Sequence, residues 1–137
     1  MADHANKALV RRLYNELWNR WDFGDVADIL AADVAYHGAL EAGGTAGHDG
    51  FRAYAGQVRA AFADFSCTVE ELIAENDRVA AMLTWRGTHR GPVLGVEPTG
   101  RRADYAGVAV CLIRGGLISH VWELADRLAL KAQMEWS

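Results

Sequence analysis

Asp126 closes an alternating run, GLISHVWELAD from Gly116, whose residue types suit acid–base chemistry. Ile118, His120, Trp122, Leu124 and Asp126 share one parity, and Leu117, Ser119, Val121, Glu123 and Ala125 the other. A strand here sets an aspartate among large apolar and aromatic neighbours. Partial desolvation would raise its pKa and let it take and return a proton near neutrality. A second reading stays open, in which Asp126 caps a helix over RLALKAQM. Histidines extend the set. Along 78–89, His89 shares parity with Val79, Ala81, Leu83, Trp85 and Gly87, His120 falls with Trp122, and His37 follows Tyr36 at the end of a short extended run. Converging, they would form a proton relay or hydrogen-bonding set around a carbonyl-containing ligand; the alternative for each is a strand-end histidine bonded to backbone or water. His4 and His48 read as exposed.

Other chemistries lack their residues. There is no HExxH, no close Cys or His pair and no EF-hand loop, so the expectation is no metal. No serine lies in a GxSxG turn, and neither Cys67 nor Cys111 has an activating histidine near it in sequence. Both cysteines sit in apolar runs and read as reduced, buried thiols. GALEAGGTAG lacks the strand-then-helix setting of a phosphate or dinucleotide cradle. Acid–base chemistry or simple binding remains. A net charge of −4 gives no case for nucleic acid, and no apolar run approaches the roughly 20 residues that span a bilayer. With no signal-peptide stretch either, the expected location is the cytoplasm.

The elements that must position these residues follow from periodicity. A length of 137 residues fits one domain, residues 1–137, with one core and one pocket. Leu9, Val10, Leu13, Tyr14, Leu17, Trp18 and Trp21 make a helical stripe over Ala5 to Trp21. A short second helix is expected from Asp25 to Ala31, then a strand over Val34 to His37 and a glycine-rich loop. Phe51, Tyr54, Ala55, Val58 and Phe62 predict a third helix from Asp49 to Ala63. Four extended runs follow, 65–74, 78–89, 102–113 and 117–126, with hairpin signals at 75–77 and 114–116. The order predicts an α+β fold, with three N-terminal helices on a strongly curved antiparallel sheet that encloses an apolar pocket. Trp18, Trp21, Tyr54, Phe62, Trp85 and Trp122 are core by spacing, yet a pocket in a one-core domain must use some of them. Val108, Val110 and Leu112 on one strand parity suggest an outer apolar patch and a homodimer.

The segments NKALVRRLYNELWNRWD, DVADILAADVAYHG, GHDGFRAY, TWRGTH, GVEPTGRRADYAGVAVCLIRGG and ISHVWELAD resemble the SnoaL-like polyketide cyclase family over nearly the whole chain. The resemblance implies the NTF2-like cone and a metal-free, cofactor-free enzyme of secondary-metabolite (antibiotic) biosynthesis. Its reaction would close a ring of a hydrophobic aromatic polyketide by intramolecular aldol condensation. On the family's pattern Asp126 would be the acid/base group, His37 and His89 would hydrogen-bond the enolate oxygen, and Trp18 would line the pocket. Tyr14, Tyr54, Trp85, His120 and Trp122 are further candidates for substrate binding. Asp104 or Tyr105 stands where cyclases can place another polar pocket group, in a strand of otherwise small residues. The loop GALEAGGTAG is longer and richer in glycine than the family's pattern. Two alternatives remain: a cofactor-independent hydroxylase of a related polyketide, and a noncatalytic binding or dimerisation module.

Overall fold

The computed structural model describes residues 2–40 and 43–135. Helix α1 (Ala2–Arg12) runs straight into a π-helical segment, Leu13–Asn19. Leu13, Tyr14, Leu17 and Trp18 are all buried. The wider i→i+5 turn brings residues four apart closer to eclipsed, so Tyr14 and Trp18 lie on one inward face. The helix ends two residues short of the expected Trp21, which takes φ 55 and packs on Phe23 with ring centroids 4.9 Å apart. That left-handed conformation is costly for a bulky residue and turns the chain sharply.

The expected second helix is a single 3₁₀ turn, Val26–Asp28, and strand β1 already begins at Leu30 (Leu30–His37). Buried Ile29, Leu30, Val34 and Tyr36 explain the difference: the chain joins the sheet, with Ile118 N–H donating to Ile29 C=O at 2.9 Å. Sheet pairing outweighs the weak helical preference of a short segment. A two-residue strand β2 (Thr45–Ala46) leads to α2 (Gly47–Ala61). His48, expected exposed, is half-buried and its Nε2 lies 2.9 Å from Leu30 C=O.

The meander follows as β3 (Ser66–Glu75), β4 (Arg78–Thr88), β5 (Arg102–Arg114) and β6 (Leu117–Ala125), and α3 (Arg127–Glu135) ends the fold. Sheet order is β2-β1-β6-β5-β4-β3. The meander is antiparallel as expected, and β1 adds to β6 in parallel, so the open sheet is mixed. Gly115 and Gly116, at φ 58 and 78, form the primed turn that matches strand twist between β5 and β6. Where β6 ends, α3 covers the exposed edge of β5: Gln133 accepts the Asp104 N–H at 2.9 Å and donates to its C=O at 2.6 Å. No described helix is long and apolar enough to cross a membrane.

One irregularity decides what faces the interior. Leu112 pairs with His120 but Ile113 pairs with Ile118, so Ser119 is an extra residue, and its hydroxyl bonds Leu112 C=O at 3.2 Å. Such a bulge reverses the alternation beyond it. Ile118 is buried before the bulge, and Val121 and Glu123 after it. The parity expected to put Asp126 among inward apolar groups therefore breaks at Ser119. Trp122 and Leu124 are instead 39% and 72% exposed on the outer face.

Candidate active site

Among the described residues, Glu123 is the one acidic side chain buried on the inner face. Its rung partners are Ala109 on β5 and, one strand further, Ala81 on β4. Two alanines leave room above the sheet for a carboxyl and the aromatic rings that meet it. The hydroxyls of Tyr14 and Tyr36 both donate to Glu123 Oε2, at 2.8 and 2.5 Å. Trp18 Nε1–H donates to Tyr36 Oη at 3.0 Å, and the Ala39 backbone N–H also bonds the carboxylate. Burial pushes the Glu123 pKa up from 4.5 to about 7, against the downward pull of the two tyrosines and Ala39. Burial first, and the Glu123 charge next, hold both phenols well above their ordinary range, so they stay protonated donors. Glu123 keeps 6% of its surface open while Tyr14 and Tyr36 keep none.

Aromatic rings wall this group. Trp18 lies 5.7 Å from Phe51, 6.0 Å from Tyr54 and 5.2 Å from Phe65, all between ring centroids. Tyr54 Oη accepts the Leu40 N–H at 3.2 Å, next in chain to the Ala39 group that bonds Glu123. Leu40 in turn lines a cavity of about 110 Å³ with Gln57, Val58, Ala61, Pro92 and Val93. Trp85 and Tyr105, 5.4 Å apart, continue the inner wall along β4 and β5. His89, fully buried, follows on the same face of β4.

The residues expected to converge divide between the two sides of the sheet. Tyr14, Trp18, Tyr54, Trp85 and His89 face inward. His37, His120 and Trp122 lie together on the outer face, with Trp122 nearly parallel to His37 at 6.2 Å and to His120 at 5.3 Å. Asp104 is exposed, 3.8 Å from Arg86 Nε. Asp126 is exposed as well, and its Oδ1 accepts Ala129 N–H at 3.0 Å, so the helix-capping geometry is the one present. Asparagine caps as well as aspartate does. Asp126→Asn is therefore expected to leave turnover and melting temperature unchanged, whereas Asp126→Ala should destabilise by about 1 kcal/mol in urea titration. A loss of turnover in the folded Asn variant would return the proton-transfer role to Asp126.

Glu123 and Tyr36 escaped the sequence reading. Glu123 stood in the run on the parity opposite the aromatic residues, and only knowledge of the bulge at Ser119 reassigns it. Among the described residues, no group of three or more His, Cys, Asp or Glu side chains could hold a metal ion.

Residues 8–134 match the SnoaL-like polyketide cyclase family. The chain belongs to that family. A SnoaL-like protein from Jannaschia sp. CCS1, named as a polyketide cyclase, superposes with TM-score 0.85 at 22% identity, over 98% of this chain and 94% of that one. IdmH of Streptomyces antibioticus, named as a polyketide cyclase, is 27% identical with TM-score 0.78, covering 93% of this chain and 96% of its own. AclR of Streptomyces galilaeus, named as a hydroxylase, is 26% identical with TM-score 0.78, covering 96% and 82%. No curated protein matches the sequence. The family carries the NTF2-like α+β fold expected from the sequence, and the six-stranded sheet with its helices conforms to it.

Proposed function

We propose that this SnoaL-like protein is an acid/base enzyme that closes a ring of an aromatic, polyketide-type molecule by intramolecular aldol condensation, with Glu123 moving the proton. The observation that carries the reading is a buried carboxyl, held between two tyrosine hydroxyls inside an aromatic wall, that titrates at about 7. A base matched to the working pH is what removal of an acidic C–H between carbonyls needs. The carboxylate takes that proton, the enolate carbon bonds to a second carbonyl carbon of the same molecule, and the new alkoxide recovers the proton from Glu123. Atoms are conserved, so product and substrate share one mass. Tyr14 and Tyr36 still donate to Oε2 when Oε1 holds the proton, which keeps the carboxyl in place through the cycle. None of these steps needs a metal or organic cofactor.

The likeness to AclR, named as a hydroxylase, favours a second reading in which the same carbanion meets dioxygen. Chelator-treated protein incubated in air with tricyclic anthraquinone polyketide methyl esters separates the two by mass spectrometry. A product of unchanged mass and new retention time establishes cyclisation. Dioxygen adds to the carbanion to give a hydroperoxide, and loss of water from it leaves a ketone, so a gain of two oxygens, or of one oxygen with two hydrogens lost, moves the assignment to this second reading; no turnover over a panel of such esters counts against both.

Two copies are proposed to pair through the outer sheet face. Met82, Val108 and Leu124 form one rung across three strands and are 48%, 44% and 72% exposed, with Trp122 beside them. A contiguous apolar row of this kind is costly to leave in water. Leu112, expected in the same patch, is buried. Sedimentation equilibrium should give the mass of two chains, and the double variant Val108→Lys, Leu124→Lys the mass of one. A wild-type mass of a single chain overturns the pairing.

A further inference from the structure

The chain just past β1 meets the Glu123 network through its backbone. Three consecutive residues there, Gly38, Ala39 and Leu40, are each held at a different atom. The Ala39 N–H bonds the Glu123 carboxylate. The next N–H, that of Leu40, donates to Tyr54 Oη at 3.2 Å. Gly38 lies under the same ring: a Cβ there would overlap Cζ, Cε2 and Oη of Tyr54, so the close approach is open to glycine alone. Tyr54 therefore holds the residue before Ala39 by packing and the residue after it by a hydrogen bond.

Such a hold is needed at this place in the chain. Strand β1 ends at His37, and residues 39 and 40 lie in a turn rather than in a sheet ladder. Backbone outside the ladder opens locally at low cost, and an N–H aimed at a carboxylate from a turn stays aimed only while the turn is fixed. Tyr54 is well placed to fix it. The side chain is 4% exposed on α2, with its ring 6.0 Å from Trp18 and 6.0 Å from Tyr36. A ring packed this closely has little freedom to move with the turn, so the turn is referred to the helix.

We propose that Tyr54 is a positioning residue of the site, fixing Gly38–Leu40 so that the Ala39 N–H stays on the Glu123 carboxyl. It acts through the backbone and not by contact with the ligand. This role deepens the acid–base reading and rests on it for the chemistry that the carboxyl performs. A backbone donor favours the ionised form, and the Ala39 N–H pulls the Glu123 pKa down. Release of the turn should therefore raise it. The other titratable groups around Glu123 are Tyr14 on the π-helical segment, Tyr36 on β1, Cys67 on β3, Tyr105 and Cys111 on β5, and Tyr54 itself on α2. Burial raises the first five above their ordinary ranges and keeps them neutral near pH 7, so a titration there belongs to Glu123.

Carbon-13 NMR of the Glu123 carboxyl, identified by its absence from Glu123→Gln, follows the titration without any turnover, so failure of the catalytic reading leaves the outcome decidable. Tyr54→Phe keeps the ring against Gly38 and removes the acceptor of the Leu40 N–H. Its Glu123 titration should move to higher pH by about 0.5–1. Turnover should then fall about two- to fivefold at pH 7 and recover at pH 9, with KM unchanged. Ala53→Gly, exposed on the same helix, weakens the helix without touching the turn and should leave the titration in place. In the unmodified protein, which needs no variant to fold, the Ala39 amide proton should shift with the Glu123 titration. A titration unchanged in Tyr54→Phe, an equal displacement in Ala53→Gly, or an Ala39 amide that does not respond overturns the assignment. So does a raised KM with the titration fixed, the result expected of direct contact with the ligand.

Discussion

Glu123→Gln is expected to reduce turnover by about 10²–10⁴-fold while the protein still folds and binds substrate. Glutamine keeps the size of the side chain, and its amide oxygen can accept from Tyr14 and Tyr36 as the carboxylate Oε2 does. What it loses is the ability to hold a proton in one step and release it in the next. In the wild-type enzyme the base must be ionised, so kcat/KM should climb with pH and level off above about 7. Tyr36→Phe supplies an independent check, because the Tyr36 hydrogen bond pulls the carboxyl pKa down. Its removal should move the rising limb of the profile to higher pH. Full turnover in Glu123→Gln, or a limb that stays fixed in Tyr36→Phe, would assign the network a purely structural role.

The sequence made the fold legible because its periodicities are long and agree with one another. The helical stripe at Leu9 to Trp18 and the four extended runs with turn residues between them determine an α+β arrangement with little freedom left. The interior aromatic residues Tyr14, Trp18, Tyr54 and Trp85 were legible for the same reason. The acidic group was not. A strand's alternation identifies a face only while the count is unbroken, and the extra residue Ser119 transfers Glu123 to the interior and Trp122 to the outside. Short-range pattern also cannot see that β1 pairs in parallel with β6, which is what carries Tyr36 to within 2.5 Å of Glu123 across 87 positions of sequence. For Asp126 both readings were visible, and the backbone amide of Ala129 meets its side chain as a cap requires.

The same carboxyl should make the protein less stable as pH rises through neutrality. An ordinary glutamate in the unfolded chain titrates near 4.5, whereas burial holds folded Glu123 at about 7. Between these values the folded state binds more protons than the unfolded one, so unfolding free energy falls with increasing pH. The contribution is complete below about 4.5, declines across the window and is gone above about 7, and the pKa difference corresponds to on the order of 3 kcal/mol. Glu123→Gln carries no such charge and escapes the loss. Urea unfolding at a series of pH values should show wild type and variant nearly equal at pH 4 and the variant more stable by about 3 kcal/mol at pH 8, after subtraction of the background slope from other groups common to both. Stability and activity then move in opposite directions at one residue, as expected where a charged group is kept in the interior for its chemistry. Equal stabilities at both pH values would mean that the folded carboxyl is solvated and titrates as an ordinary glutamate, and the basis for its role as a base near neutrality would be removed.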